Sequence, residues 1–521
     1  MALRIIFVLM LIAVTSVNST AQQSTYREPY RPQFHFTPPT QWMNDPNGLF
    51  YYEGEYHLFY QYYPDGNTWG PMHWGHAVSK DLMYWQHLPV ALYPDSLGYI
   101  FSGSAVVDVN NTSGLGKNQL PPLIAVYTYH NMAGEKAGRN DFQYQGLAYS
   151  TDKGRTWTKY EKNPVLPNKT GIKDFRDPKV MWHEGSKQWV MTLAVKDHVE
   201  FWTSPNLLQW HYASSFGKEL GAHGGVWECP DLFAMQVKET GKEKFVLLVS
   251  INPGGPNGGS ATQYFTGDFN GKEFIPHRSH QNKQPVWLDY GRDNYAGVTW
   301  SNIPAADGRR LFIGWMSNWD YAQVVPTTVW RSAMTLPRSL TLRKLNNNYH
   351  LQSTPVSELS ALRNEFEGIE LTDLMKGAID ITPHTATVHQ SEWVLDLEIT
   401  DTKTETCYLQ FSNGSGERYR IGYNVKKKLY FSDRTKAGNH SFSEKFGTSV
   451  HTAPRLLKSK RIKLHLFVDA SSVELFADDG TVCMTELIFP STPFNKAELV
   501  SEGGAVKLIS ATCYSLKRIW E

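Results

Sequence analysis

Three carboxylates in this 521-residue chain stand one or two residues before a proline at the head of a strand-like run. They are Asp45 in Asn44-Asp-Pro-Asn-Gly48, Asp177 in Arg176-Asp-Pro178 and Glu228 in Trp227-Glu-Cys-Pro230. Proline fixes its own φ, lacks an N–H and restricts the residue before it, so a carboxylate beside it rides on stiff backbone. Any one of these motifs alone reads as a strand-edge turn. Three in register read as a cluster, and clustered carboxylates repel and cost stability unless a metal or a reaction uses them. A calcium site would want more carbonyl and carboxylate oxygens close in sequence. Glycoside hydrolysis needs one ionised carboxylate and one protonated carboxylic acid across the scissile bond. Two aspartates and a glutamate, with Arg176 and several tryptophans nearby, favour the sugar chemistry. No His/Cys grouping has zinc spacing, so neither metal nor cofactor is expected.

Residues 132 and 51 positions apart meet only if the fold repeats, and a degenerate repeat is present. Ala77-Val-Ser-Lys-Asp81 leads to Trp85, Ala148-Tyr-Ser-Thr-Asp152 to Trp157, and Thr203-Ser-Pro-Asn206 to Trp210. Thr266-Gly-Asp268 leads more weakly to Phe274. Each unit reads as a short strand, a polar turn and an aromatic that opens the next strand. Upstream lies a strand pair, such as Leu49–Tyr52 and Tyr56–Tyr60 around Glu53-Gly54-Glu55. Four-stranded units of this length mark a β-propeller, whose innermost strands surround one central channel. A fifth unit fits between Tyr295 and Thr335, with Arg310–Trp315 a clear strand. The three carboxylates precede the first strands of units one, three and four, and so point into one funnel. The expected architecture is all-β: a five-bladed propeller over 26–340, a linker with a short helix over 341–366, and a β-sandwich over 367–521. In the linker, Thr354-Pro355 reads as a helix start and Val356, Leu359 and Leu362 share a face.

Composition narrows the partners. Lys+Arg (51) nearly balances Asp+Glu (50), which gives no electrostatic reason to expect nucleic acid or an anionic membrane. Arg4, the apolar run Ile5–Val14 and the small residues Ser19-Thr20-Ala21 read as an export signal over 1–21. That run is too short to span a bilayer, and no later stretch serves as a membrane anchor. The four cysteines are too few for a disulfide scaffold, although Cys407, Cys483 and Cys513 could form one bridge. Sequons stand at Asn110, Asn111, Asn168, Asn413 and Asn439.

The motifs together resemble glycoside hydrolase family 32, the invertases and fructanases. The resemblance rests on Trp42-Met-Asn-Asp-Pro-Asn-Gly48, Phe101-Ser-Gly-Ser104, Arg176-Asp-Pro178 and Trp227-Glu-Cys-Pro230. It continues through Asp289-Tyr-Gly-Arg-Asp-Asn-Tyr295, Gly314-Trp-Met-Ser-Asn-Trp319 and Phe467-Val-Asp-Ala-Ser-Ser-Val-Glu-Leu-Phe476. It implies a five-bladed propeller followed by a β-sandwich. By motif it implies Asp45 as nucleophile, Glu228 as general acid/base and Asp177 as a stabiliser that binds fructose hydroxyls. Asn44, Gln61, Trp69, Phe101, Ser102 and Arg176 are implied substrate contacts. Trp319 is either an aromatic wall or core packing. The reaction would be a double displacement through a fructosyl-enzyme. Asp45 and Asp177 are expected to favour the protonated form of Glu228, with Arg176 partly offsetting them. Cys229 is read as a buried small residue, not a nucleophile. The stretch 289–337 is more similar to secreted bacterial levanases and inulinases than to plant invertases. The implied partners are fructan polysaccharides, fructo-oligosaccharides and sucrose, met outside the cytoplasm, in the periplasm or beyond the cell. Exo attack is expected because a propeller funnel is a closed-ended pocket.

Overall fold

The polar turns anticipated from the repeat share one construction in this computed structural model, which describes residues 26–520 except 119, 283, 370–373 and 384–386. The expected export signal lies outside the described residues. Asp81 Oδ1 accepts the N–H groups of Met83 and Tyr84, each at 2.9 Å. Asp152 Oδ1 accepts from Thr156 N at 3.0 Å, and Asn206 Oδ1 accepts from Leu208 N and Gln209 N. The aromatic that follows each turn closes it, because the indole N–H donates to the carbonyl three residues back. Trp85 donates to Leu82 (2.9 Å), Trp157 to Gly154 (3.1 Å) and Trp210 to Leu207 (3.0 Å). Those three acceptors are left-handed, with φ of 66°, 79° and 66°. Leucine tolerates that region only where its surroundings over-determine it, and here the side-chain cap and the indole do so together. In the fourth unit the capping residue is Asn270, which accepts from Lys272 N and Glu273 N. Asp268, the sequence-based candidate, instead pairs with Lys244.

These turns join the third and fourth strands of four-stranded blades. Blade one comprises Gln41–Tyr52, Glu55–Tyr63, His73–Ser79 and Trp85–Leu92. Blade two comprises Tyr99–Val107, Leu123–His130, Gln143–Ser150 and Thr158–Lys159. Blade three runs from Phe175 to Phe216 and blade four from Val226 to Pro276. Blade five comprises Tyr295–Thr299, Arg310–Met316, Arg338–Leu345 and Asn348–Pro355. The 341–366 stretch is therefore not a plain linker. Most of it is the outer hairpin of blade five, paired from Arg338↔Pro355 to Leu345↔Asn348. The alternation of Leu340 and Leu342 with polar residues already carried that period-2 signal. The short helix is a 3-10 turn over Ser357–Leu362 that buries Leu359 and Leu362. Thr354 does not cap it, since its hydroxyl donates to Ser339 O across the hairpin. The ring closes between blades five and one, where Tyr51 N donates to Ser301 O and Trp330–Arg331 lies parallel to Gln41–Trp42.

The C-terminal region is a sandwich-like assembly built on one 21-residue strand, Lys496–Leu516. Its first half pairs with Thr406–Ser412 and Met375–Asp380, and its second half with Ser391–Ile399 and Arg363–Gly368. Cys407, Cys483 and Cys513 are buried on three different strands, and among the described residues no disulfide joins them. The bridge entertained from sequence is thereby corrected.

A buried ion network joins this assembly to the propeller. His35, on the approach to blade one, bonds Asp469 through Nδ1 (2.7 Å) and Glu474 through Nε2 (3.0 Å). Burial opposes its charge, but the two carboxylates outweigh burial and raise its pKa to about 9. A raised histidine contributes stability that is fully present below its unfolded value of about 6.5 and lost as pH rises through the folded value. His35→Gln is thus expected to lower the melting temperature clearly at pH 6. The gap to the parent protein should close as pH passes about 9, and a gap that stays constant with pH would refute the charged pair.

Candidate active site

All five innermost strands carry the same one-residue bulge at the same register. Three steps on the inner strand oppose two on its neighbour at Met43/Pro46, Ile100/Gly103, Arg176/Lys179, Glu228/Asp231 and Tyr295/Val298. A bulge bends the strand and re-aims side chains, and here it turns five short segments into the mouth of the ring. Superimposed in register, the carboxylates occupy three successive positions, not one. Glu228 aligns with Arg176 and Tyr295, Asp177 with Cys229 and Ala296, and Asp45 with Ser102. The prolines are therefore not equivalent, since Pro178 and Pro230 align with Asp45 itself. Asp177, Cys229 and Ala296 are left-handed, with φ of 64°, 46° and 53°, so the second bulge position is where the backbone reverses its aim.

Residues at one register position on neighbouring blades touch. Ser102 Oγ donates to Asp45 Oδ2 at 2.6 Å. Cys229 N donates to Asp177 Oδ2 at 3.0 Å. Arg176 Nη2 donates to Glu228 Oε1 at 2.9 Å, and Tyr295 OH donates to Glu228 Oε2. Asn44 is oriented from behind: Trp42 Nε1 donates to its Oδ1 (2.7 Å), which leaves its NH2 to donate to Asp45 Oδ1 (3.1 Å). Gln61 Nε2 donates to Ile100 O at 3.0 Å.

The pocket above them measures about 480 Å³, and all ten sequence-designated residues line it: Asn44, Asp45, Gln61, Trp69, Phe101, Ser102, Arg176, Asp177, Glu228 and Trp319. Trp319 lines the pocket and stacks on Trp42 (5.9 Å, 29°). Sequence reasoning missed His130, Glu135, Gln143, Lys173, Asp174 and Gln323 on the walls, and Tyr295 behind Glu228. Tyr295 lay inside a quoted motif, and its register equivalence to Glu228 would have flagged it had the bulges been visible. A second cavity of about 360 Å³ opens at the far mouth of the ring beside Trp182, Phe233 and Arg310. Its carboxylate, Asp231, is committed to Lys179 and Thr299, so it lacks an acid–base pair.

Electrostatics set the floor apart. Burial, opposed by Arg176 and reinforced by Glu228 and Asp45, raises Asp177 to about 7. Burial and Glu228 also push Asp45 up, against the bonds from Ser102, Asn44 and Cys229. Burial opposes the charge on Arg176, but Glu228, Asp177 and Asp174 outweigh it and hold the guanidinium cationic. The Cys229 thiol, buried between Asp45 and Asp177, is pushed well up and stays neutral, so it is a weak donor to both (3.5 and 3.7 Å) and not a nucleophile. The raised acid at position 177 destabilises the fold once ionised, so stability falls as pH rises from the unfolded value near 4 to about 7. Asp177→Asn is expected to melt a few degrees higher than the parent at pH 8 but not at pH 4. Its activity should fall by about 100-fold or more. Equal melting curves at pH 8 would refute the buried charge.

This constellation has counterparts. The profile of the "Glycosyl hydrolases family 32 N-terminal domain" matches residues 35–355, and that of the family's C-terminal domain matches residues 358–515. A levanase of Bacillus subtilis strain 168 is 48% identical over 99% of this chain and 74% of its own length. An extracellular exo-inulinase of Aspergillus niger is 38% identical over 98% of both chains. Among solved structures, the exo-inulinase of Aspergillus awamori superimposes with a TM-score of 0.87 at 36% identity, covering 95% of this chain and 100% of that one. A β-fructofuranosidase of Schwanniomyces occidentalis, complexed with fructosyl-erythritol, gives 0.85 at 32% identity over 95% and 99%. The two family models together span residues 35–515 almost without a gap, and this chain belongs to that family: it is a member of glycosyl hydrolases family 32.

Proposed function

We propose that the protein is an exported retaining β-fructosidase that removes single fructose units from the non-reducing ends of levan or inulin, and also cleaves sucrose. Asp45 attacks the anomeric carbon, and Glu228 protonates the leaving oxygen and then activates water against the fructosyl-enzyme. Asp177 holds fructose hydroxyls on the pocket floor, while Arg176 and Tyr295 fix the two oxygens of Glu228. The observation that carries this reading is the sorting of the carboxylates. Asp45 accepts from Ser102 and Asn44, whereas Glu228, on a different bulge position, accepts from Arg176 and Tyr295.

Exo action is supported by the relatives named exo-inulinase. Relatives named levanase and extracellular exo-inulinase support a fructan substrate and export. The sequence of the first 21 residues supports export independently. Levan, inulin and sucrose, incubated separately with the enzyme and resolved by chromatography over time, test the proposal. Fructose alone from the first time point, fastest on a polymer, is the expected result. Early oligosaccharides would make the enzyme endo-acting, activity on sucrose alone would make it an invertase, and no product from any substrate would leave a fructan-binding protein.

A further inference from the structure

We infer that His130 is a positioning residue that holds Arg176 on Glu228 through Gln143, an inference that rests on the reading of Glu228 as acid/base. The path begins with a fixed amide. Gln143 Oε1 accepts the backbone N–H of Phe175 at 2.9 Å, and a backbone N–H can only donate. The carboxamide orientation is thereby set, and the same Oε1 faces Arg176 Nη1 at 3.4 Å. The Gln143 NH2 then points at His130 Nδ1, 3.2 Å away. Because an NH2 group cannot accept, Nδ1 is the bare nitrogen and Nε2 carries the proton. That proton goes to Glu135 Oε2 at 2.9 Å.

His130 is only 4% exposed and Gln143 3%, so water does not compete freely for these bonds. The carboxylate that ends the path, Glu135, sits on the one-turn helix Met132–Lys136 at the pocket wall. The imidazole also lies flat on Phe101, with centroids 4.3 Å apart and planes 10° from parallel. Phe101 precedes Ser102, whose hydroxyl is on Asp45. One ring thus braces both sides of the reaction, and the arm through Gln143 is the polar one. Without an acceptor at Nδ1, the Gln143 NH2 is left buried without a partner and the carboxamide is held only at its oxygen. A carboxamide that shifts to find a partner for its NH2 draws Oε1 off Arg176 Nη1, which leaves that nitrogen to Asp174 Oδ1 (2.6 Å) alone and loosens the guanidinium on Glu228.

His130→Phe keeps the aromatic stack and removes only the polar arm. The expected result is a fall in kcat of about tenfold or more with KM changed less than about threefold, since the loss is felt mainly in the transition state. The neutral-side limb of the pH–rate profile should move to higher pH, because a carboxyl relieved of a cation keeps its proton longer. A purely structural role would lower activity without moving that limb. Gln143→Met should reproduce both changes, and the double variant should be no slower than Gln143→Met alone. Additive losses, or an unmoved limb, would overturn the inference. If His130→Phe does not accumulate as folded protein, Gln143→Met decides by the same limb. Glu228→Gln assayed in parallel separates the two ideas. Full activity there overturns the acid/base reading, whereas an inactive Glu228→Gln beside an unaltered His130→Phe overturns only the role of His130.

Discussion

Asp45→Asn is expected to abolish turnover of every fructoside, by about 10,000-fold or more, whatever the leaving group, because no covalent intermediate can form without the carboxylate. Glu228→Gln should behave differently. On sucrose or levan the loss should be about 1,000-fold, the scale of a missing general acid. On fructosyl fluoride, whose leaving group needs no proton, the first step should recover while the second stays slow. The fructosyl group should then accumulate on Asp45 and be detectable by intact-protein mass. Azide added to Glu228→Ala should yield a fructosyl azide of retained configuration, since the anion needs no base. Equal rescue of the Asp45 and Glu228 variants by the activated substrate would reverse or remove the assignment. The contrast follows from the site. Asp45 meets Ser102 and Asn44 as donors, while Glu228 is oriented through its two oxygens by Arg176 and Tyr295.

Arg338→Met should be the most destabilising single change outside the pocket. The arginine is fully buried between the domains and donates to Asp289 (2.9 Å), Glu474 (2.6 Å) and Thr485 (2.7 Å). Burial opposes its charge, and Glu474 and Asp289 outweigh that burial. Its removal leaves Asp289 buried without a cation and Glu474 with His35 alone, a loss of about 3–5 kcal/mol. The effect is measured by denaturant unfolding of the intact chain. Adding Asp289→Asn to Arg338→Met should recover part of the loss, because the stranded charge and not the missing volume causes it. Arg139→Ala, which breaks an exposed pair with Asp141, should change nothing measurable. If Arg338→Met unfolds no more readily than Arg139→Ala, the network is not what joins the domains. The variant should also be slower per folded molecule. Asp289 opens the segment whose Gly291 packs so tightly that a Cβ would meet the Thr485 backbone at 2.2 Å, and that segment ends at Tyr295 on Glu228.

Much of the site was legible before any coordinates. The Asn-Asp-Pro, Arg-Asp-Pro and Glu-Cys-Pro motifs named the carboxylates, and the recurring turn and tryptophan placed them on equivalent strands. All ten designated residues do line one pocket. What escaped has a common cause. His130, Glu135 and Gln143 come from the second and third strands of blade two and the helix between them, far from the Phe101-Ser102 motif of that blade. Nothing in their sequence neighbourhood marks a pocket wall. The outer hairpin of blade five reads as a connector in sequence because its partner strand, Arg310–Met316, lies more than twenty residues upstream across irregular chain.

Most of the elements, the blade count and the three acidic residues can be read from sequence, because these rest on local chemistry: proline stiffness, capped polar turns, period-2 alternation. Only the tertiary structure decided how the acids differ. A bulge is a mismatch between two strands and has no signature in one of them. The bulges put Glu228, Asp177 and Asp45 on three successive positions, each facing a different neighbour from the next blade. Pairing partners, burial and the raised acid at Asp177 are properties of groups brought together from blades distant in sequence, and their energies exist only once the ring has closed.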